Sequence, residues 1–575
     1  MNNVSISESL REIVVSGLLS IGVDEAKIIS FSLDQPDDIA HGEFATNVAL
    51  TIAKTLAISP HECAEKLIAY IESNKGDIIS RVEIAGMGFI NFFITEKAKG
   101  IAIENVVKED TKLDVLSGKT VICEYTDPNP FKLFHIGHTV SNTVGESLSR
   151  IYELAGAKVV RACYQGDIGM HVATTMWGIE NMGDVMSDEV VTLRDKVGYL
   201  GKAYAYGMQA LSDNPKIKEE IQDINKHLFE GKEHELYEQG KKWSMDYFQT
   251  VYEKLGTAFD YFIMESEVAE KGKKIVIDNT PKVFEQSDGA YVYKGEKVGL
   301  HTRVFINSQG FPTYEAKELG NCVRKEELVP QHDISVVVTA HEVDEYFKVI
   351  QSALKEIDES YASKLVHISH GMLRLPEGKM SSRTGNIIPA EDLIDEVKLR
   401  IKDRLEKSDL PAGETGAEDK EQLANDIAVG AIKFSILRQA IGRDIIFDID
   451  KSISFEGDSG PYLQYTHARI VQLLNKAKEE GIEAKYVDSI SEVALERKLL
   501  IFRDTLQKTY EDKGPQHIVS YLLSLAHEFN SMYARQVIID KNNSNSSHYV
   551  LLAQAVGNIL RQGLHVLGII APDKM

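Results

Sequence analysis

The stretch 119–164 restricts this chain more than any other. KTVICEYT, 119–126, is a short apolar run of the kind that becomes a buried strand. DPNPFKLF follows, and Pro128 and Pro130 bar a helix there. A helical pattern then begins near His135 and runs to Ala155, where Gly156 is a natural stop. KVVRACY, 158–164, is a second apolar run. Strand, loop, helix, strand in that order is a parallel βαβ unit with a right-handed crossover. ISVVVTA, 334–340, fits another buried parallel strand.

Around this unit the chain reads as several domains. Leu10, Ile13, Val14 and Leu18 have helical spacing, and Ser59-Pro60-His61-Glu62 reads as a capped helix start with a capping box. RVEIAGMGFINFFI, 81–94, predicts two strands, so residues 1–110 form a small α/β domain ending in a charged linker, 105–114. Residues 170–285 are largely helical and read as an insertion. GAYVY, 289–293, and VGLHTRVFI, 298–306, read as strands. From about 420 the pattern turns helical, with exposed loops expected at 409–422 and 541–548.

Composition removes some functions. With 64 Lys and Arg against 87 Asp and Glu, the net charge is −23, which argues against a general nucleic-acid coat but allows a local basic surface for one RNA. No apolar run approaches a membrane span, and MNNVSISESLREIVV lacks the layout of a secretory signal, so a cytoplasmic protein is expected. Cysteines 63, 123, 163 and 322 have no zinc or disulfide spacing, and no metal site is expected. SGKT, 117–120, imitates a phosphate loop, but Leu113 stands where the first glycine is required, and the segment precedes a strand.

Two motifs carry chemistry. His135-Ile136-Gly137-His138 lies where the helix of the βαβ unit begins. Taken alone, such a pair is as readily two solvated histidines. At a helix N-terminus beside a parallel sheet edge, free N–H groups and the two imidazoles suit phosphate, and Gly137 permits close approach. Lys379-Met380-Ser381-Ser382-Arg383, between Gly378 and Gly385, is a loop suited to clamp a pyrophosphate leaving group.

Together, in this order, the motifs resemble the HIGH and KMSKS signatures of class I aminoacyl-tRNA synthetases. QPDDIAHGEFATNVAL (35–50), CEYTDPNPFKLFHIGH (123–138), GFPTYEAKELG (310–320), FDIDKSISFEGDSGPYLQYTHARI (447–470) and LHVLGIIAPDKM (564–575) narrow the resemblance to the arginyl family. It departs from the family pattern at Thr139-Val140, at Glu318 where Asp is usual, and at Ser382-Arg383.

The resemblance implies a multidomain α/β chain. A small N-terminal tRNA-binding domain occupies 1–110. A Rossmann-type catalytic domain occupies 111–445, with its insertion at about 170–285. An all-α anticodon-binding domain occupies 446–575. It implies ligation of L-arginine to tRNA(Arg) with ATP as substrate and Mg²⁺ carried by ATP, in a monomer that touches no membrane. His135, His138 and Lys379 are the expected catalytic residues. ATP would be held by His135, Gly137, His138, Lys379, Met380, Ser381, Ser382 and Arg383. Arginine would be held by Glu124, Asn129, Tyr314 and Glu318. KLRIKDRLEK, 398–407, with Arg438, Arg443 and Arg469, is the expected RNA-contacting surface. Two other readings remain at this point: a different class I enzyme such as a cysteinyl one, and a synthetase-like protein that binds RNA without catalysis.

Overall fold

A computed structural model describes residues 5–28, 31–183, 192–232, 234–376, 388–407, 417–488 and 492–575. The N-terminal part is a four-stranded antiparallel sheet covered by helices Ile6–Ser20, Val48–Leu56 and Pro60–Asn74. The two strands expected at 81–94 are a hairpin, Ile79–Ala85 and Phe89–Ile94, with Val82 opposite Phe92 and Gly86 in the left-handed region. Ser59 caps its helix by accepting from the Glu62 amide at 3.1 Å. The expected capping box is only half formed, because the Glu62 carboxylate pairs with Lys66 one turn on. The supposed linker is shorter than expected, since helix Glu96–Lys108 runs through its first residues.

The βαβ unit forms as expected. Strand β1 (Thr120–Glu124), helix α1 (Ile136–Leu154) and strand β2 (Lys158–Gln165) are followed by β3 (Tyr261–Met264), β4 (Ile334–Ala340) and β5 (Leu365–His370). All neighbours pair in parallel in the order β5-β4-β1-β2-β3. Chain order reverses between β1 and β4, and a crevice at the carboxyl ends of such strands is where open parallel sheets hold ligands. Gly145 lets α1 lie against the sheet: a Cβ there would be 2.1 Å from Cγ of the buried Tyr125. Gly145→Ala is expected to lower stability by about 1–3 kcal/mol, overpacking outweighing alanine's better helix propensity. The denaturant midpoint measures this.

The insertion is corrected at its end. Its helices stop with α2 (Glu235–Leu255), and β3, inside the expected range, is the edge strand of the core sheet, with Tyr164 opposite Ile263. Four residues, YFIM, are too short to stand out from helical surroundings. Helix α3 (Glu265–Asp278) follows β3 and packs against α4 (Tyr314–Leu328). Of VGLHTRVFI only Arg303–Ile306 is a strand; it joins Ala290–Tyr293 and Glu285–Ser287 in a separate antiparallel sheet, while 295–298 form a tight turn.

Helix α5 (Ala417–Leu437) takes in the second part of the expected acidic loop; 408–416 lie outside the described residues. The polar segment 541–548 is not all exposed either. Ser546 and His548 are buried at the start of helix α6 (Ser546–Val566), where Ser546 Oγ closes the loop on the Asp540 backbone and His548 meets Glu496. One apolar core runs from Val121 and Leu148 through Ile432 to Leu522 and Leu560, so the C-terminal helices share packing with the sheet. The N-terminal part keeps its own core and is reached by Leu500 from the C-terminal helices.

Candidate active site

The loop after β1 is the first element of the site. Thr126, Asp127 and Phe131 all have positive φ, an arrangement that non-glycine residues keep only when held. Among the contacts that hold it, the Thr126 amide donates to Ser141 Oγ at 2.9 Å, the Tyr164 amide to Asp127 Oδ1 at 2.7 Å, and the Phe131 amide to Ser244 Oγ at 2.9 Å. The loop delivers the chain to His135 at the N-cap of α1.

There the two histidines define each other's protonation. The Gly137 amide donates to His135 Nδ1 at 3.1 Å, and the His135 amide donates to His138 Nδ1 at 3.2 Å. Both Nδ1 atoms therefore accept, which assigns the remaining proton of each ring to Nε2. The rings stack with centroids 3.7 Å apart. Burial, with Lys132 nearby, pushes His135 down to about 4; burial first, then His135 and Lys132, holds His138 well below the ordinary imidazole value. The site thus presents two neutral N–H donors beside a helix N-terminus, whose partial positive charge also favours phosphate. Gly137 leaves room for the His135 ring, which a Cβ there would meet at 2.9 Å.

Lys379, Met380, Ser381, Ser382 and Arg383 lie outside the described residues. The chain just after them is tied to the histidines: the Ile136 amide donates to Ile388 O at 3.1 Å, the Ala390 amide to Phe134 O at 2.9 Å, and His135 bridges to Pro389. Residues 388–390 are thus fixed beside the start of α1.

The other predicted residues separate by depth. Glu124, at the end of β1, is 1% exposed and Glu318, on α4, 4%. Both receive the Asn321 amide nitrogen, Glu124 Oε2 at 2.9 Å and Glu318 Oε1 at 3.3 Å, and Lys325 Nζ meets Glu124 Oε2 at 2.8 Å. Burial, and then repulsion by Glu124, raises Glu318 to about 7. The same two causes push Asp127 well above the usual carboxylate range. Tyr314, one helical turn before Glu318, is 60% exposed, with Lys317 Nζ 4.4 Å from its ring centroid. It stands at the rim while Glu318 lies in the interior, although both are on one helix. Asn129 sits against Gly166, where a Cβ would fall 2.3 Å from Asn129 Oδ1.

Asn321, Lys325 and the buried Lys317–Glu265 pair escaped the sequence reading. Their one signal was the i, i+3, i+7 spacing of Glu318, Asn321 and Lys325, which a solvated helix face shows equally. The expected basic surface is largely compensated: Lys398 pairs with Glu421, Arg400 with Glu396 and Asp450, and Arg438 with Asp458. Arg469 lies over the rings of Tyr465 and Tyr533.

A parallel sheet with a switch point, a donor pair capping the helix after its first strand, and buried carboxylates beside it define the class I aminoacyl-tRNA synthetase type of site. Three family models match: "Arginyl tRNA synthetase N terminal domain" over 3–94, "tRNA synthetases class I (R), catalytic domain" over 102–449, and "DALR anticodon binding domain" over 463–575. The chain belongs to the arginyl-tRNA synthetase family. An arginine–tRNA ligase of Lactobacillus delbrueckii is 30% identical over 95% of this chain and 96% of its own length. The arginyl-tRNA synthetase of Thermus thermophilus shares the fold with a TM-score of 0.82 at 22% identity, covering 99% of this chain and 100% of its own. That of Plasmodium falciparum gives 0.75 at 18%, covering 99% of each chain.

Proposed function

We propose that this protein joins L-arginine to tRNA(Arg) in two steps, using ATP. The arginine carboxylate attacks the α-phosphorus of ATP, the bond to the bridging oxygen breaks, and arginyl-adenylate and pyrophosphate result. A terminal ribose hydroxyl of the tRNA then attacks the arginyl carbonyl and releases AMP. No side chain becomes a covalent nucleophile, so positioning and stabilisation of growing phosphate charge carry the rate.

The observation that carries this reading is the histidine pair at the head of α1, where both Nδ1 atoms accept backbone amides and each Nε2 is left to donate. In it, His135, Gly137 and His138 hold the ATP phosphates, and Lys379, Met380, Ser381, Ser382 and Arg383 clamp the departing pyrophosphate. Glu124 and Asn129 receive the α-amino end of arginine; Tyr314 and Glu318 receive the guanidinium. Among the described residues no three His, Cys, Asp or Glu side chains group to hold a metal ion, and Mg²⁺ would arrive on the nucleotide, held by phosphate and water. Residues 1–110, 111–445 and 446–575 divide the work into tRNA body, catalysis and anticodon. The test is charging of unfractionated tRNA with each radiolabelled amino acid in turn: arginine alone should be esterified, and charging with another amino acid or with none overturns the reading.

A pH dependence follows. Glu318, raised to about 7 by burial and Glu124, must be ionised to pair with guanidinium. Below that value arginine binding has to expel a proton; above it none leaves. Arginine affinity is therefore expected to rise by up to about tenfold per pH unit between roughly pH 6 and 7 and to level off above about 8. Calorimetric titration in buffers of different ionisation enthalpy measures the proton release directly.

A further inference from the structure

Beneath the two pocket carboxylates lies a polar layer with no place in the roles assigned above. Asn321 and Lys325 are 0% and 1% exposed, and each sits one or two helical turns past Glu318 on α4. Asn321 Nδ2 spans the two carboxylates, so Glu124 Oε2 and Glu318 Oε1 stay within two hydrogen-bond lengths of each other. Lys325 Nζ adds an ion pair to the same Glu124 oxygen. Both contacts fall on one oxygen of each carboxylate. Among the described residues no hydrogen bond engages Glu124 Oε1 or Glu318 Oε2, and Asn321 Oδ1 is buried without a donor.

Charge points the same way. Glu124, Asp127 and Glu318 are three carboxyl groups in one buried region, and Lys325 is the cation that pairs with one of them. Burial and Glu124 push Asp127 and Glu318 toward the neutral form, and Lys325 offsets the charge of Glu124. A buried charge is tolerated only when paired, so the cation that steadies Glu124 also limits its repulsion of Glu318.

We propose that Asn321 and Lys325 are positioning residues for arginine recognition: they hold Glu124 and Glu318 at a set separation from beneath, and Lys325 offsets the charge of Glu124 beside Glu318. This rests on reading the site as an arginine pocket. Neither residue touches the reacting atoms, so their loss should appear in arginine binding and leave the ATP-side chemistry alone.

The experiment compares Lys325→Met, Lys325→Arg and Asn321→Leu in full-length protein, by arginine and ATP kinetics in tRNA charging. Lys325→Met is expected to raise the arginine KM about 10–100-fold, the range for losing a buried bond to a charged group, with kcat and the ATP KM within about threefold of wild type. Lys325→Arg should restore most of the loss, because it returns a cation of similar reach. Asn321→Leu keeps the cation and removes the bridge, and should raise the arginine KM about tenfold; if Lys325→Met does not fold, this variant decides by the same readout. An unchanged arginine KM in a folded variant, or equal losses in kcat and both KM values, overturns the proposal. Failure of the underlying reading is separate, since it would appear in the wild-type protein as no arginine-dependent charging.

Discussion

Glu318→Gln is expected to lower kcat/KM for arginine by roughly 10²–10³-fold and to bring arginine and citrulline close together. The carboxylate is 4% exposed, so a ligand that cannot pair with its ionised form forgoes a charge-assisted bond made strong by burial. Citrulline has nearly the shape of arginine but carries a neutral urea. A site built around a polar partner rejects the analogue that cannot satisfy it by roughly 10⁴-fold. Glutamine removes the charge yet keeps an oxygen able to accept from Asn321, now 3.3 Å from Glu318 Oε1, so the bridge below survives. Its amide also donates, which suits the citrulline oxygen. The ratio of kcat/KM values for the two ligands, measured in wild type and variant, is the readout, and an unchanged ratio would falsify the assignment of Glu318 to the guanidinium.

His138→Ala and His135→Ala should each lower kcat by about 10²–10³-fold with little change in the arginine KM. Their proposed partners are phosphate oxygens whose charge grows as the α-phosphorus is attacked, so the lost interaction belongs to the transition state. Each variant also loses a capping bond: His135→Ala frees the Gly137 amide and His138→Ala frees the His135 amide, at a cost of ~1 kcal/mol of stability apiece. Thermal melts alongside steady-state kinetics separate the two effects. Near-normal kcat in both variants would place the phosphates elsewhere.

The parts of this protein legible in its sequence are those whose cause is local. The βαβ unit could be read because two apolar runs, two prolines and a glycine stop each act over a few residues. The same holds for the hairpin at 79–94 and for the Ser59 cap. The histidine pair could be located, but the reason for its donor character could not. That depends on two backbone amides meeting Nδ1 atoms and on burial that keeps both rings neutral.

What escaped the sequence shares one property: its partners are distant in the chain. β3 is four residues that become a strand only because β2, about a hundred residues earlier, offers an open edge. Asn321 reaches Glu124 across 197 residues, and nothing in TYEAKELGNCVRKEEL distinguishes a lysine that will be buried on a carboxylate from one that will face water. The basic run 398–407 looked open for RNA until Glu421 and Asp450 were folded onto it. Periodicity and capping report which element a segment becomes and which face it buries. Electrostatics in a low-dielectric interior depends on the few groups within about 4–6 Å, and tertiary packing alone chooses them. The sequence therefore determined the class of fold, the place of the histidine pair and the family, while the charge and spacing of the buried carboxylates were decided by the side chains that α4 brings to Glu124.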